Sequence, residues 1–421
     1  PRTALEHAVL AALHAPRRWV GRVLPLALEE ARADLEAPVY THLGPDRLAA
    51  ARLAVLDEMD PDLRTPEGRA ARVRLGPYFG FIGRLPGSEG EPRLRDLYIT
   101  QLENLAACPW QLFLVRLLRI EPTPDPLAAL PGVDALLLGN VVHATLDRIA
   151  RPPGQPEGVR GVRGLTPVPV IWPEEEVVGR VLHQEAERLL AEDGIRLAGL
   201  ARALAERARP MLDTVRDMDW GGGTVPVLAT EAEGELDLGD SPGTLRRVLF
   251  KADRVDHEGG LVVWTDYKTG KPISSAKRPE VRRRHFLDRV KSGTHLQAVA
   301  YLLGSDGEAK GRYLYLRPGL DDDSRELSVF SGDQEFAEAF VAASEAVLAA
   351  WESGSFFPRL VEPDGRSEPG RCGFCTVAEA CLRGDSGARQ RLYEWTGREG
   401  EEHEFAEASL LRVWRLMGGQ P

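Results

Sequence analysis

Apolar residues recur along this chain at two spacings, and the change between them divides it. Near the front, HAVLAALHAPRRWV and LEEARADLEA carry apolar positions at the step of an amphipathic helix. Pro77–Pro92 is rich in Gly and Pro and is expected to be a linker. Residues 98–120 predict a helix broken by Pro109, residues 133–150 a second helix, and Glu174 to about Val215 a long charged helical region. The period then shortens. VPVLATEAEGELDL, RRVLFKADRVDH and LVVWTDYKT alternate or run β-branched between Gly, Asp and Pro, which predicts strands. HLQAVAYLLG returns to helix. RYLYLRP and ELSVF predict two more strands, and EFAEAFVAASEAVLAAWESG an amphipathic helix ending at Gly354. A cysteine-rich segment and a charged helical tail follow, and no internal repeat is evident. This order fits a mixed α/β domain with helices on both faces of a small sheet.

Composition adds bounds. The 421 residues, 43% hydrophobic and 28% charged, suit a globular chain of two to three domains. The expected division is a helical N-terminal region with its linker over 1–95, a main domain over 96–386 and a charged helical tail over 387–421. The front region is read as the end of a preceding domain. The chain begins with Pro1 rather than Met, which fits a processed chain or a piece of a longer one. No apolar run approaches the roughly 18 residues of a membrane helix, and no signal-peptide stretch opens the chain. The expectation is a cytoplasmic protein with no membrane partner. The net charge of −11 argues against a broad nucleic-acid-binding face. It leaves room for a local patch, and Lys277–Lys291 (KRPEVRRRHFLDRVK) holds seven basic and two acidic residues.

The most informative segment is KADRVDHEGGLVVWTDYKTGK, Lys251–Lys271. Two strands are expected to meet at His257–Gly260 as a β-hairpin. Asp253 sits on the first. Asp266 and Lys268, two apart on the second, point to one face. Phosphodiester hydrolysis needs such a set. Carboxylates bind Mg²⁺ or Mn²⁺, the metal lowers the pKa of water and neutralises phosphate charge, and a lysine stabilises the transition state. On its own, Asp-x-Lys is common and a solvated hairpin with one salt bridge would explain it.

Further blocks accompany it in order, and with them the chain resembles the RecB-like branch of PD-(D/E)xK nucleases, the group that includes the AddB nuclease domain. LENLAACPWQLF (Leu102–Phe113) is similar to the LExxxxCPxxxF block. GNVVH (Gly139–His143) is similar to G-x-x-x-H, KADRVD to G-K-x-D-R-x-D, DYKTG (Asp266–Gly270) to D-Y-K-T-G, and QAVAY (Gln297–Tyr301) to Q-x-x-x-Y. The resemblance implies a restriction-endonuclease-like α/β core sheet flanked by helices. It implies His143, Asp253, Asp266 and the Tyr267 carbonyl as metal ligands for Mg²⁺ or Mn²⁺, and Asp253, Asp266 and Lys268 as the catalytic set. Gln297 and Tyr301 would line the site and contact the scissile strand. Glu231 resembles an acidic position on the preceding strand, with Glu233 and Glu235 as alternatives. One departure stands out: Phe250 occupies the usual glycine of the GKxD block. Arg282, Arg283 and Arg284 are the candidate DNA-backbone contacts.

The four cysteines are Cys108 and, far downstream, Cys372, Cys375 and Cys381. Four thiolates about one centre suit either zinc or a 4Fe–4S cluster, and spacing leaves both open. The resemblance implies the 4Fe–4S cluster, because iron–sulfur AddB-like members carry one Cys in the CPxxxF block and three after the nuclease core. Its expected job is a clasp across the domain. The activity implied is a DNA exonuclease of recombination and repair, preferring single strands and working at DNA ends. No G-x-x-x-x-G-K-[ST] phosphate loop is present, so a helicase partner, or a missing N-terminal helicase-like domain, would supply the motor. The competing readings are a non-catalytic DNA-end-binding subunit and a zinc-stapled interaction protein.

Overall fold

Two long strands, β3 (Thr224–Leu238) and β4 (Arg246–Glu258), run antiparallel as the spine of the sheet. The computed structural model describes residues 64–68, 75–83, 95–121, 134–156, 158–239, 246–360, 368–384, 386–396, 412–414 and 416. Among these, β1 (Leu97–Tyr98), β2 (Val168–Ile171), β5 (Leu261–Lys268), β6 (Ala309–Tyr315) and β7 (Glu326–Phe330) complete the sheet, in the order β2-β3-β4-β5-β6-β7. β1 lies parallel to the first half of β4, Leu97 opposite Val248, while β5 pairs with its second half. β5 and β6 are parallel. A parallel pair needs a crossover, and residues 269–308 supply it with α5 (Pro279–Lys291) and α6 (Gln297–Leu303).

Helices cover both faces. On one, α2 (Ala135–Ala150), α3 (Glu175–Glu192) and α4 (Ala198–Val215) bury Val141, Leu182 and Leu212 against Val227, Tyr267 and Leu314 of the sheet. On the other, α1 (Ile99–Ala107), α5, α6 and α7 (Gln334–Ser353) bury Leu102, Phe286 and Phe340 against Phe250, Trp264 and Tyr313. The mixed α/β core agrees with the sequence reading. No helix among the described residues is long and apolar enough to cross a membrane.

Several elements differ from expectation. The charged region Glu174–Val215 is two helices, divided around Gly194, whose φ of 77° lies in the left-handed region. β2 carries only one buried residue, Val170, so it lacks a strand's alternation, and its edge position tolerates Pro169. The presumed linker is partly packed. Phe79 is fully buried with Leu360 and Leu392, and Phe81 bridges to Ser355. Gly80 permits this (φ 89°): a Cβ there would meet the Phe356 carbonyl oxygen at 2.2 Å. The expected helices at the front, and most of the expected tail beyond α8 (Ser386–Thr396), lie outside the described residues.

Phe250 is fully buried and packs against both Trp264 and Tyr301. Its ring fills the space above two glycines. A Cβ on Gly234 would lie 2.2 Å from it, and one on Gly304 2.5 Å. The bulk that replaces the usual glycine is therefore housed by two positions without side chains.

Behind the hairpin, on the face toward α2–α4, lies a buried charge network. Arg254 donates to Asp256 at 2.9 Å and to Asp219 at 2.6 Å, while Arg312 donates to the same Asp219 oxygen at 2.9 Å. Arg254 also meets the Tyr267 hydroxyl. The charges are paired, as burial requires, and they tie β4, β5 and β6 to the turn at Arg216–Trp220.

Candidate active site

The hairpin forms as its residues dictate. Glu258 pairs with Leu261, enclosing Gly259 and Gly260 at φ 58° and 94°. A two-residue turn of this kind needs both positions in left-handed backbone, which glycine adopts freely. Arg254 pairs with Thr265, so one step further Asp253 comes level with Asp266.

α2 brings the histidine. Asp134 caps it by accepting from the Leu137 amide at 2.7 Å. Gly139 lets it pack close to the loop after β5, where a Cβ would sit 3.2 Å from the Thr269 hydroxyl. One turn on, His143 Nδ1 lies 2.9 Å from Asp253 Oδ1. The other Asp253 oxygen accepts from the Tyr267 amide at 2.6 Å. Burial opposes charge on both groups. The Asp253 charge and hydrogen bond nonetheless push His143 up to about 9, and His143 holds Asp253 below the usual carboxylate range.

Lys268 Nζ stands 2.6 Å from Asp266 Oδ2 and donates to Gln297 Oε1 at 2.9 Å. Burial disfavours its charge, but Asp266 outweighs this and raises its pKa. Burial raises Asp266 as well, with Lys268 opposing and Asp253 adding to the rise. Asp266 Oδ2 is buried and faces the Lys268 ammonium. An ionised carboxylate has about four acceptor positions, so the lysine leaves capacity for a cation.

Glu103, in the LENLAACPW block, was not among the expected site residues. It is half-buried at the edge of this cluster and accepts from the Leu296 amide at 2.6 Å, just before α6. Burial pushes its carboxyl up to about 7, against the pull of Lys268. The signal in the sequence was a charged residue inside an otherwise apolar helical stripe.

Glu231 interrupts β3 with a φ of 50°, pairs with Lys251, and is raised by burial and by the Asp253 charge. Glu233 instead pairs with Arg160 at 3.4 Å and Glu235 with Arg247 at 3.7 Å. Of the three candidates, Glu231 is the one beside Asp253.

Two expectations need correction. Tyr301 is fully buried, donates to the Lys251 carbonyl at 2.9 Å and stacks on Trp264. It braces β4 from within and does not face a scissile strand. The arginine triplet on α5 is largely spoken for. Arg282 is buried and donates to the carbonyls of Ala276 and Lys277. Arg283 is held by Asp333 and Glu335 and covers the Phe336 ring. Arg284 is the exposed member.

The four cysteines, all free thiols, line one small pocket with Trp110, Leu114 and Val377. Cys108 joins α1 to the single turn Pro109–Leu112. Cys375 and Cys381 each end a short 3₁₀ turn, and Arg383 donates to the Cys372 carbonyl at 2.9 Å. Arg371 reaches Gln111 at 3.0 Å, joining the two segments. Burial and the neighbouring thiols raise Cys372, and Cys381 is pushed up to about 12. Among the described residues, no three His, Cys, Asp or Glu side chains stand already arranged as a metal-coordinating group. The cysteines share a pocket without ligand geometry, and the carboxylates turn to His143 and Lys268.

The profile of the PD-(D/E)XK nuclease superfamily matches residues 98–382. No curated protein matches the chain. The crystal structure of SSO0001 aligns at 15% identity over 58% of this chain and 94% of its own, with a TM-score of 0.25.

Proposed function

The chain belongs to the PD-(D/E)XK nuclease superfamily, and on that premise we propose that it is a divalent-metal-dependent deoxyribonuclease. The observation that carries this reading is the meeting of His143, Asp253, Asp266 and Lys268 at one end of one hairpin. The donor chemistry fits Mg²⁺ or Mn²⁺: two carboxylates, an imidazole and the Tyr267 carbonyl, with carboxylate lone pairs beyond those that Lys268 occupies. A cation held there would neutralise phosphate charge and acidify water.

The chain's own groups do the remainder. Lys268 carries a secured positive charge for the charge that develops on the phosphate. Gln297 takes one of its three N–H donors and so fixes the direction of the others. Glu103 anchors the start of α6, which carries Gln297.

Action at DNA ends in recombination or repair, a preference for single strands and a helicase partner are the finer parts of this proposal. They rest on the ordered motif blocks and on the lack of a phosphate loop. A 4Fe–4S cluster on Cys108, Cys372, Cys375 and Cys381 belongs to it too, supported by four thiols in one pocket. Digestion of end-labelled single- and double-stranded DNA with Mg²⁺ or Mn²⁺ tests the activity. Labelled mononucleotides or short fragments are expected, and intact substrate in both metals would refute it. Anaerobic preparation tests the cluster: a brown protein with iron and sulfide is expected, and a colourless zinc protein would sink it.

A further inference from the structure

We propose that His295 is a phosphate-contacting residue beside the candidate active site, holding the DNA strand next to the bond that Lys268 addresses. This rests on the nuclease reading above. His295 precedes α6 and has a φ of 56°, one of three positive-φ residues other than glycine among those described. Side chains with a Cβ enter this backbone region uncommonly, histidine more readily than most, and here the surroundings favour it. They do so on both sides. Gly293 (φ 74°) turns the chain against α1, where a Cβ would lie 2.6 Å from that of Ala106. Thr294 donates its amide to the Arg289 carbonyl at 3.0 Å, and Leu296 donates to Glu103 at 2.6 Å.

This backbone carries an imidazole whose Nδ1 finds no hydrogen-bond partner. Its Nδ1 is buried and unpaired, while the ring as a whole stays partly exposed. The ring stands edge-on to Tyr313 at 5.9 Å between centroids, and Lys268 Nζ lies 5.2 Å from the same Tyr313 centroid. His295 and Lys268 thus flank one aromatic ring. Burial, with the Lys268 and Arg289 charges, holds the imidazole down to about 4, so it is neutral at physiological pH. A neutral imidazole offers one N–H donor, which with Nδ1 buried would be Nε2. Both the Lys268 and Arg289 charges act on the ring, and an anionic oxygen is what that surrounding attracts. Packing alone would need neither the strain nor the polar ring. Glycine would relieve the first and remove the second.

The test compares wild type with His295→Gly and His295→Asn on labelled single-stranded DNA, with thermal unfolding alongside. Loss of a hydrogen bond to a charged group predicts a KM for His295→Gly raised about ten- to hundredfold. The expected kcat stays close to wild type and Tm is equal or higher, because the strain is gone. Asparagine, which keeps a donor and tolerates this backbone, is expected to fall between. An unchanged KM for His295→Gly, or a loss that follows a lowered Tm, would overturn the proposal. A wild type that cleaves no DNA would defeat the nuclease reading itself. Fluorescence anisotropy then decides the contact alone: weaker binding by His295→Gly supports it, and equal or absent binding removes it.

Discussion

His143 and Asp253 lie 110 residues apart in sequence and 2.9 Å apart in space. That contact pins α2 to the hairpin and gives each group an opposite charge. Replacing either should cut single-turnover cleavage by at least about a hundredfold while far-UV circular dichroism stays unchanged. A loss below about tenfold for His143→Ala would remove the histidine from the metal set.

Lys268 has a different signature. Its charge is set against Asp266 and its direction against Gln297. Lys268→Ala should lower kcat by about 10²–10³ with KM nearly constant, as for a group acting mainly in the transition state. Lys268→Arg should not restore the rate, because a planar fork does not replace a compact ammonium. Equal losses in KM and kcat/KM, with kcat intact, would reassign the lysine to binding.

Glu103 predicts a pH effect on stability. Its carboxyl is raised by burial to about 7 in the folded protein, from an ordinary 4.5. A group with a raised folded pKa stabilises below its unfolded value, and that contribution fades as pH rises through the folded one. Glu103→Gln keeps an acceptor for the Leu296 amide and has no charge to bury. Its stability relative to wild type should therefore climb from about pH 4.5 to about 7 and then level off. Glu103→Ala should cost about 1–3 kcal/mol by orphaning that amide. Urea denaturation across this range reads both, and parallel wild-type and Gln curves would contradict the assignment.

Phe250 and Gly304 should be coupled. Gly304→Ala would place a Cβ 2.5 Å from the Phe250 ring, an overpacking that costs about 1–3 kcal/mol. Phe250→Ala leaves a cavity costing about 3–5 kcal/mol. The double variant should cost less than the two losses combined. Additive losses in denaturant melts would show that the positions do not share one space.

The sequence made the hairpin legible because Gly259-Gly260, the β-branched run and the carboxylates agree across levels. His143 was readable through Gly139, whose small size lets α2 approach Thr269. β2 was not readable, since an edge strand with one buried residue leaves no periodic trace. The arginines of α5 misled because local charge does not reveal the partners the fold provides; Asp333 and Glu335 arrive from about fifty residues away to hold Arg283. Tyr301 misled in the opposite sense. Its spacing from Gln297 placed it on the correct helix, and only packing decided that it points into the core. Glu103 and His295 escaped notice because their meaning lies in backbone contacts made across the fold.

The nest around Phe250 also constrains which substitutions can coexist. With the phenyl ring in place, a Cβ at 234 or 304 would press on it from either side. The three positions therefore form one volume, and a larger residue at one is accommodated only by a smaller one at another. A side chain can return to 234 or 304 without a clash only if the ring at 250 gives way.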